Sequence, residues 1–77
     1  MGDEGNGVLR CGVIGVGRMG RHHARVYSQG EHTTLVGVVD HDPARAGEIT
    51  ESWGGTAFTS IDELLAAGVD AVTIATP

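Results

Sequence analysis

The sequence predicts an α/β fold, a partial doubly wound parallel sheet with the strand order 3-2-1-4 and helices on both faces. Two observations lead to this class. Short runs that are apolar at nearly every position are typical of strands covered on both faces. Helical segments alternate with these runs, and the connections are short. Right-handed crossovers and a change of direction beside the first strand give the strand order.

The first half of the chain has the pattern of a strand, a helix and a second strand. Residues 8–16 (VLRCGVIGV) form the first predicted strand, and RMGRHHARVYSQ a helix of about three turns that ends before Gly30. The β-branched run at 34–40 (TLVGVVD) is the second strand, and it ends on an acid. One face of the predicted helix carries Met19, Gly20, His23, Ala24 and Tyr27.

The second half begins with a proline-capped helix. Asp42 followed by Pro43 predicts an N-cap and a proline at the first helical position, in a helix that runs toward Trp53. Two glycines then end this helix, and TAF at 56–58 forms a short third strand.

The last helix and strand follow the same rules. Ser60 and Glu63, three positions apart, predict a capping box for a short helix that Gly68 closes. AVTIA at 71–75 is the fourth strand. The whole order is therefore β-α-β-α-β-α-β, as in sheets built from parallel units.

Composition limits the partners. The net charge is −5, which argues against nucleic acid because such binding relies on Lys and Arg. No apolar run approaches the ~20 residues of a membrane helix. The single Cys11 lies in an apolar run and predicts a buried thiol in a reducing, cytoplasmic setting. Residues 1–7 are interpreted as a flexible tail, and 8–77 as part of a single domain.

Three glycines join the first strand to the first helix. Gly15, Gly17 and Gly20 form G-x-G-x-x-G, a weak pattern by itself in a chain with 13 glycines. Its context strengthens it, because Asp40 lies 20 residues after Gly20 at the end of the second strand. That spacing is typical of a dinucleotide-binding fingerprint.

Each position of this motif has a predicted task. Gly15 makes the tight turn, Gly17 lets the backbone approach a pyrophosphate, and Gly20 lets the helix pack closely on the strand. The amides and dipole at the helix start would hold the pyrophosphate, and Arg18 and Met19 are assigned to the same cofactor site.

Asp40 predicts the choice of cofactor. Its carboxylate would accept bonds from the ribose hydroxyls and repel a 2′-phosphate, so NAD is expected over NADP. Arg45, in the next helical turn, is the base that could partly offset this repulsion.

Other glycine loops fit less well. A P-loop needs a lysine and the chain has none, while a kinase loop needs a valine where His22 stands. A G-x-G-x-G loop needs glycine at Met19. A flavin site stays open as an alternative, because it shares the fingerprint.

The remaining polar and aromatic residues are given structural roles. His22 and His23 are adjacent, so they point to different sides of a helix and predict no metal site. Trp53 and Phe58 are expected to pack in the core or at helix ends. A solvated helix surface is expected for Glu48, Glu51, Asp62 and Glu63.

Three segments, GVIGVGRMGRHHARVY, LVGVVDHDPARA and AVTIATP, resemble the N-terminal part of the Gfo/Idh/MocA oxidoreductases. The resemblance covers residues 8–77 and implies the Rossmann form of the sheet. It implies that Asp40 binds the adenosine ribose and that Thr76 and Pro77 lie along the cofactor. It also implies hydride transfer with sugars in the intact enzyme. The HHARVYS segment resembles that of relatives that act on nucleotide sugars, so the resemblance includes nucleotide sugars among the implied substrates.

The chain departs from this family in what it lacks. Members continue to a Glu-Lys-Pro motif with a catalytic lysine and then to a substrate domain, but no lysine occurs in these 77 residues. We therefore expect a truncated cofactor-binding portion that is inactive alone. The alternative is a free-standing nucleotide-binding or regulatory module. A fourth strand at the sheet edge predicts self-association.

Overall fold

The computed structural model describes residues 8–15 and 17–75, which include all seven predicted elements. The predicted tail at 1–7 lies outside the described residues, as do Thr76 and Pro77. The elements in chain order are β1 (Leu9–Ile14), α1 (Arg18–Gln29), β2 (Thr33–Val39), α2 (Pro43–Trp53), β3 (Thr56–Phe58), α3 (Ile61–Ala66) and β4 (Ala71–Ile74).

The sheet has the predicted topology. Its four strands are parallel and lie in the order β3-β2-β1-β4. The chain moves from β1 to β2 to β3 in one direction and then returns past β1 to β4. Because each crossover is right-handed, this return puts α3 on the face opposite to α1 and α2. The α/β class, the strand order and the helices on both faces are thus confirmed.

The pairing of β1 with β2 contains an irregularity that the sequence pattern does not reveal. Cys11 lies opposite Leu35, whereas Gly12 lies opposite Gly37, so Val36 is an extra residue in β2. Such a bulge lets two residues oppose one on the partner strand. As a result Leu35 and Val38, three positions apart, belong to the same core cluster.

The main core lies between the sheet and the helices α1 and α2. Tyr27 and Trp53 pack against it from the two helices, and the Tyr27 hydroxyl forms a hydrogen bond with the Thr73 hydroxyl that ties α1 to β4. Met19, which the pattern places on the same helix face as Gly20 and Ala24, is exposed, because α1 packs on the sheet from Gly20 onward. The buried cluster consists of Val13, Ala24, Leu35, Val38, Ala46 and Ile49.

The opposite face is covered by Leu64 of α3, which is fully buried. A Cβ at Gly12 would lie 2.8 Å from the Leu64 Cδ2, so glycine in β1 makes room for this side chain. The ring of Phe58 lies in the same way over Gly37 of β2, with its Cδ2 2.6 Å from the position of a Cβ. These two glycines allow bulky side chains to approach the sheet directly.

The predicted caps of α2 and α3 form, with one difference. Asp42 accepts a hydrogen bond from the Ala44 amide at 3.1 Å, and the Ser60 hydroxyl accepts one from the Glu63 amide at 3.1 Å. The Glu63 carboxylate reaches one residue further than a capping box predicts, to the amide and hydroxyl of Thr59 at 2.9 and 2.7 Å. These bonds stabilise the charged form and lower the pKa of Glu63.

Arg10 connects the end of α3 to the start of β4. Its Nε donates to the Gly68 carbonyl at 2.6 Å, and its Nη2 donates to the Ala67 carbonyl at 3.1 Å. The Arg10 backbone amide also donates to the Asp70 carboxylate at 2.9 Å. A cation at these carbonyls satisfies the acceptors left over at a helix C-terminus.

We expect replacement of Arg10 by methionine to lower the free energy of unfolding by about 1 kcal/mol, because it removes two charge-assisted bonds that are exposed to water. The midpoint of thermal unfolding should fall by roughly 4–8 °C for a domain of this size. Urea and thermal unfolding followed by circular dichroism measure both. Arg45→Met, at an exposed arginine of α2, is the matched control, and equal stability of the two variants would contradict the capping role.

Candidate dinucleotide-binding site

The turn after β1 is held by backbone hydrogen bonds to both neighbouring strands. Gly15 has a φ of +87°, in the left-handed region that favours glycine. Its amide donates to the Val39 carbonyl at 2.7 Å, and the Ile14 carbonyl accepts from the Ala75 amide at 2.8 Å. The tight turn predicted at Gly15 is therefore present, and its position is fixed by the ends of β2 and β4.

Helix α1 packs directly over this turn. Gly20 is buried, and a Cβ built on it would collide with the carbonyl oxygen of Gly15 and lie 2.8 Å from the carbonyl carbon. Any larger residue at this position would push the helix away from the strand. The close packing predicted for Gly20 is thus observed.

Gly17 differs from the other two glycines of the motif. It is the N-cap residue of α1, and a Cβ there would have no described atom within 4 Å apart from its chain neighbours and the backbone of its own helix. Among the described residues, no side chain forms a capping hydrogen bond at Gly17, and the sequence of the first turn contains no acid. The absence of a side chain at Gly17 therefore leaves the positive end of the α1 dipole open to an approaching group.

Asp40 follows β2 directly and is nearly buried, with 3% of its side chain exposed. Its Oδ1 accepts a hydrogen bond from the Asp42 amide at 2.9 Å. The Nδ1 of His41 lies 3.3 Å from the same oxygen, although 95% of the His41 side chain is exposed. The carboxylate is therefore held in place by its own loop.

A pocket of about 370 Å³ brings the turn and the acid together. It lies where the chain leaves β1, β2 and β3, at the carboxyl edge of the sheet where open α/β folds bind ligands. Of the predicted site residues, Gly15 and Asp40 line it. Gly17, Met19 and Gly20 lie at the start of α1. The described lining consists of Ile14, Gly15, Val39, Asp40, His41, Thr59, Ser60 and Ile61.

The contribution of the third loop was not predicted. The sequence pattern assigns Ser60 to a helix cap and gives Thr59 and Ile61 no role, yet these three residues form one wall of the pocket. The available signal is topological: a loop that follows β3 must emerge at the same sheet edge as the loops after β1 and β2.

The cysteine and the two adjacent histidines lie outside the described lining of this pocket. Cys11 is buried, and this burial, together with the nearby Asp70 carboxylate, raises the pKa of its thiol. His23 is half-buried and stacks on Tyr27, with ring centroids 6.4 Å apart, while His22 is exposed. Within residues 8–15 and 17–75, no three His, Cys, Asp or Glu side chains are grouped to hold a metal ion.

Comparison with known proteins identifies the family. Residues 9–77 match the Gfo/Idh/MocA family model, described as an oxidoreductase family with an NAD-binding Rossmann fold. The chain belongs to the Gfo/Idh/MocA family. It is 48% identical over 69 residues to UDP-N-acetylglucosamine 3-dehydrogenase of Acidithiobacillus ferrooxidans, covering 90% of this chain and 21% of that protein. It is 44% identical over 71 residues to inositol 2-dehydrogenase of Renibacterium salmoninarum, covering 90% and 22%.

Two solved structures superpose well on this chain. GenD2 from gentamicin A biosynthesis, in complex with NAD, matches with a TM-score of 0.86 at 35% identity, over 92% of this chain and 21% of that one. The A. ferrooxidans dehydrogenase matches with a TM-score of 0.82 at 47% identity, over 91% and 22%. The chain thus spans about a fifth of the length of these Gfo/Idh/MocA relatives, and this fifth is the NAD-binding Rossmann portion.

In the part of this Gfo/Idh/MocA chain that the structure describes, the helices are too short or too polar to cross a bilayer.

Gly20→Ala tests the close packing of α1 on the turn. We expect it to lower the free energy of unfolding by about 2 kcal/mol, because the added methyl group overlaps the Gly15 carbonyl. Gly17→Ala is the matched control, and at an open N-cap it should cost about 1 kcal/mol or less. Chemical denaturation of both variants measures the difference. A Gly20→Ala variant as stable as Gly17→Ala would show that the contact does not constrain the helix.

Proposed function

We propose that this chain is the cofactor-binding portion of a sugar or nucleotide-sugar oxidoreductase and that it holds the adenosine side of NAD. The observation that carries the proposal is the pocket that both Gly15 and Asp40 line. A turn that presents backbone to a pyrophosphate and an acid that accepts ribose hydroxyls are the two recognition elements of a dinucleotide half-site.

The ribose is assigned to Asp40. The two adjacent hydroxyls of the ribose form stronger hydrogen bonds with a carboxylate that is already oriented. The Asp42 amide orients the Asp40 carboxylate in this way. The low exposure of the Asp40 side chain strengthens such bonds, because little water competes for them. The same loop contains Asp42, the N-cap residue of α2, so the start of this helix also holds the loop beside Asp40.

The adenine ring is assigned to the apolar part of the pocket. Ile14 and Val39 come from the ends of the two central strands, and Ile61 projects from the start of α3. Ile61 is exposed, so a bound ring would remove apolar surface from water. His41 lies at the outer lip, beside Asp40.

The pyrophosphate is assigned to the start of α1. Gly17 leaves the backbone open there, and the helix dipole favours an anion although the chain carries a net charge of −5. Arg18 and Met19, in the same turn, remain predicted contacts. Thr76 and Pro77 are predicted to lie along the cofactor from the end of β4.

NAD, when bound, accepts or supplies the hydride at its nicotinamide ring. The residues of this chain bind and orient that cofactor. The sugar or nucleotide-sugar substrate is proposed from the relatives, which include UDP-N-acetylglucosamine 3-dehydrogenase and inositol 2-dehydrogenases. In this proposal the catalytic groups belong to parts of the protein outside these 77 residues, in keeping with the absence of lysine from them.

The exposed edge of the sheet supports a further part of the proposal. Among the described strands, β4 pairs with β1 alone, and Ile74 at its end is 70% exposed. An open parallel edge with apolar side chains favours pairing with another strand. We propose that copies of this chain, when supplied alone, associate through β4.

A cytoplasmic location is proposed from the single buried thiol.

Asp40→Asn tests the cofactor preference. Two unit charges ~4 Å apart repel by about 4 kcal/mol at an effective dielectric constant near 20. We therefore expect the wild-type chain to bind NAD more tightly than NADP, and the variant to reduce this ratio by about tenfold or more, since 1.4 kcal/mol corresponds to tenfold. Titrations of both cofactors followed by ¹H–¹⁵N NMR measure affinities even in the millimolar range.

The control for this test is Asp62→Asn, which removes the same charge from the exposed first turn of α3. Its NAD-to-NADP ratio should equal that of the wild type. A ratio unchanged in Asp40→Asn, or one that falls equally in both variants, would refute the assignment of the ribose to Asp40.

A further inference from the structure

A second concave surface lies on the outer side of the helix layer, between α1 and α2. It has a volume of about 300 Å³ and is lined by Arg21, His22 and Arg25 of α1 and by Trp53 of α2. We call it the α1–α2 groove. It shares no described lining residue with the cofactor pocket at the carboxyl edge of the sheet. Neither the packing of the fold nor the proposed NAD site explains why these four residues lie together.

The described lining of the groove contains two arginines and no acid. The chain has five arginines against ten acidic residues. Arg21 and Arg25 lie one helical turn apart, so their side chains are neighbours on the same face of α1. An anion placed between them would contact both guanidinium groups.

Little within the protein competes for these two guanidinium groups. The Arg21 Nη2 lies 3.8 Å from the Glu48 Oε1, and both side chains are more than half exposed, at 58% and 69%. An exposed pair at that separation contributes little binding energy. The Arg25 guanidinium makes no hydrogen bond or ion pair with the residues that the structure describes.

Trp53 adds a planar apolar surface to this cationic site. It is half-buried because part of its side chain packs against the core cluster, while its remaining surface lines the groove. Its packing against the core reduces the conformational entropy that the ring would lose on stacking. An indole held in this way favours stacking with another planar ring.

We propose that the α1–α2 groove binds a nucleoside monophosphate, with the phosphate between Arg21 and Arg25 and the base on the indole of Trp53. The arginine fork matches phosphate oxygens through paired N–H donors, and bases of any sequence stack on aromatic side chains. The volume is at the lower end of the range for ligand pockets, about 300–1,000 Å³, which suits one nucleotide rather than a dinucleotide. This site is independent of the NAD proposal.

The chain offers a direct reporter of this site. Trp53 is its only tryptophan, so one indole N–H signal in a ¹H–¹⁵N NMR spectrum reports on the groove. The probe is cytidine 5′-monophosphate, because the adenine of an adenosine nucleotide would also enter the cofactor pocket. Cytidine and inorganic phosphate are titrated separately, since they carry the base and the anion alone.

We expect cytidine 5′-monophosphate to shift the indole signal to saturation, and each fragment alone to bind more weakly. Arg25→Gln should lower the affinity for the nucleotide by roughly tenfold, because one charge-assisted contact is lost. Arg45→Gln removes the same charge from an exposed position on α2 outside the groove lining and should leave the affinity unchanged. Dispersed amide signals show that each variant is folded.

Three results would overturn the proposal. The indole signal could stay in place while amides elsewhere shift. Phosphate or cytidine alone could reproduce the full shift at the same concentration as the nucleotide. Arg25→Gln and Arg45→Gln could weaken binding equally, which would reduce the effect to general electrostatic attraction.

Discussion

The close approach of α1 to the turn after β1 is the constraint on which the candidate site depends. Gly20 lies so near the carbonyl of Gly15 that no side chain fits between them. The helix therefore begins directly above the end of the central strand, with its amides beside the carboxyl edge of the sheet. The same turn is anchored by the Val39 carbonyl, immediately before Asp40. Backbone contacts in this way hold the helix start, the glycine turn and the strand end that carries the acid close to one another.

This arrangement explains how an acidic chain can select an anionic cofactor. Net charge acts over long distances and is screened by salt, whereas amides at a helix start act on a group in direct contact with them. In the proposed site, a single nearly buried carboxylate, that of Asp40, would accept bonds from a ribose diol and repel a 2′-phosphate. In this proposal the amides at the start of α1 attract the anion, and the carboxylate that follows β2 rejects the 2′-phosphate.

Much of the fold was predictable because local and long-range signals agree. Asp42 with Pro43 marks the start of α2, and the alternation of apolar runs with helices fixes the parallel order. The extra residue Val36 in β2 and the exposure of Met19 were not predictable, since each depends on packing between elements. In the site, the sequence predicted Gly15 and Asp40, but the wall formed by Thr59 to Ile61 depends on which loops the topology brings to one edge.

The most direct test of this account is saturation-transfer difference NMR with NAD and the 77-residue chain. Irradiation of protein methyl groups transfers magnetisation to those ligand protons that contact the protein. The account predicts strong transfer to the adenine and adenosine-ribose protons, which face the pocket of Ile14, Asp40 and Ile61, and weak transfer to the nicotinamide protons. Strongest transfer to the nicotinamide, or equal transfer to both ends, would contradict the assignment of this chain to the adenosine side of the cofactor.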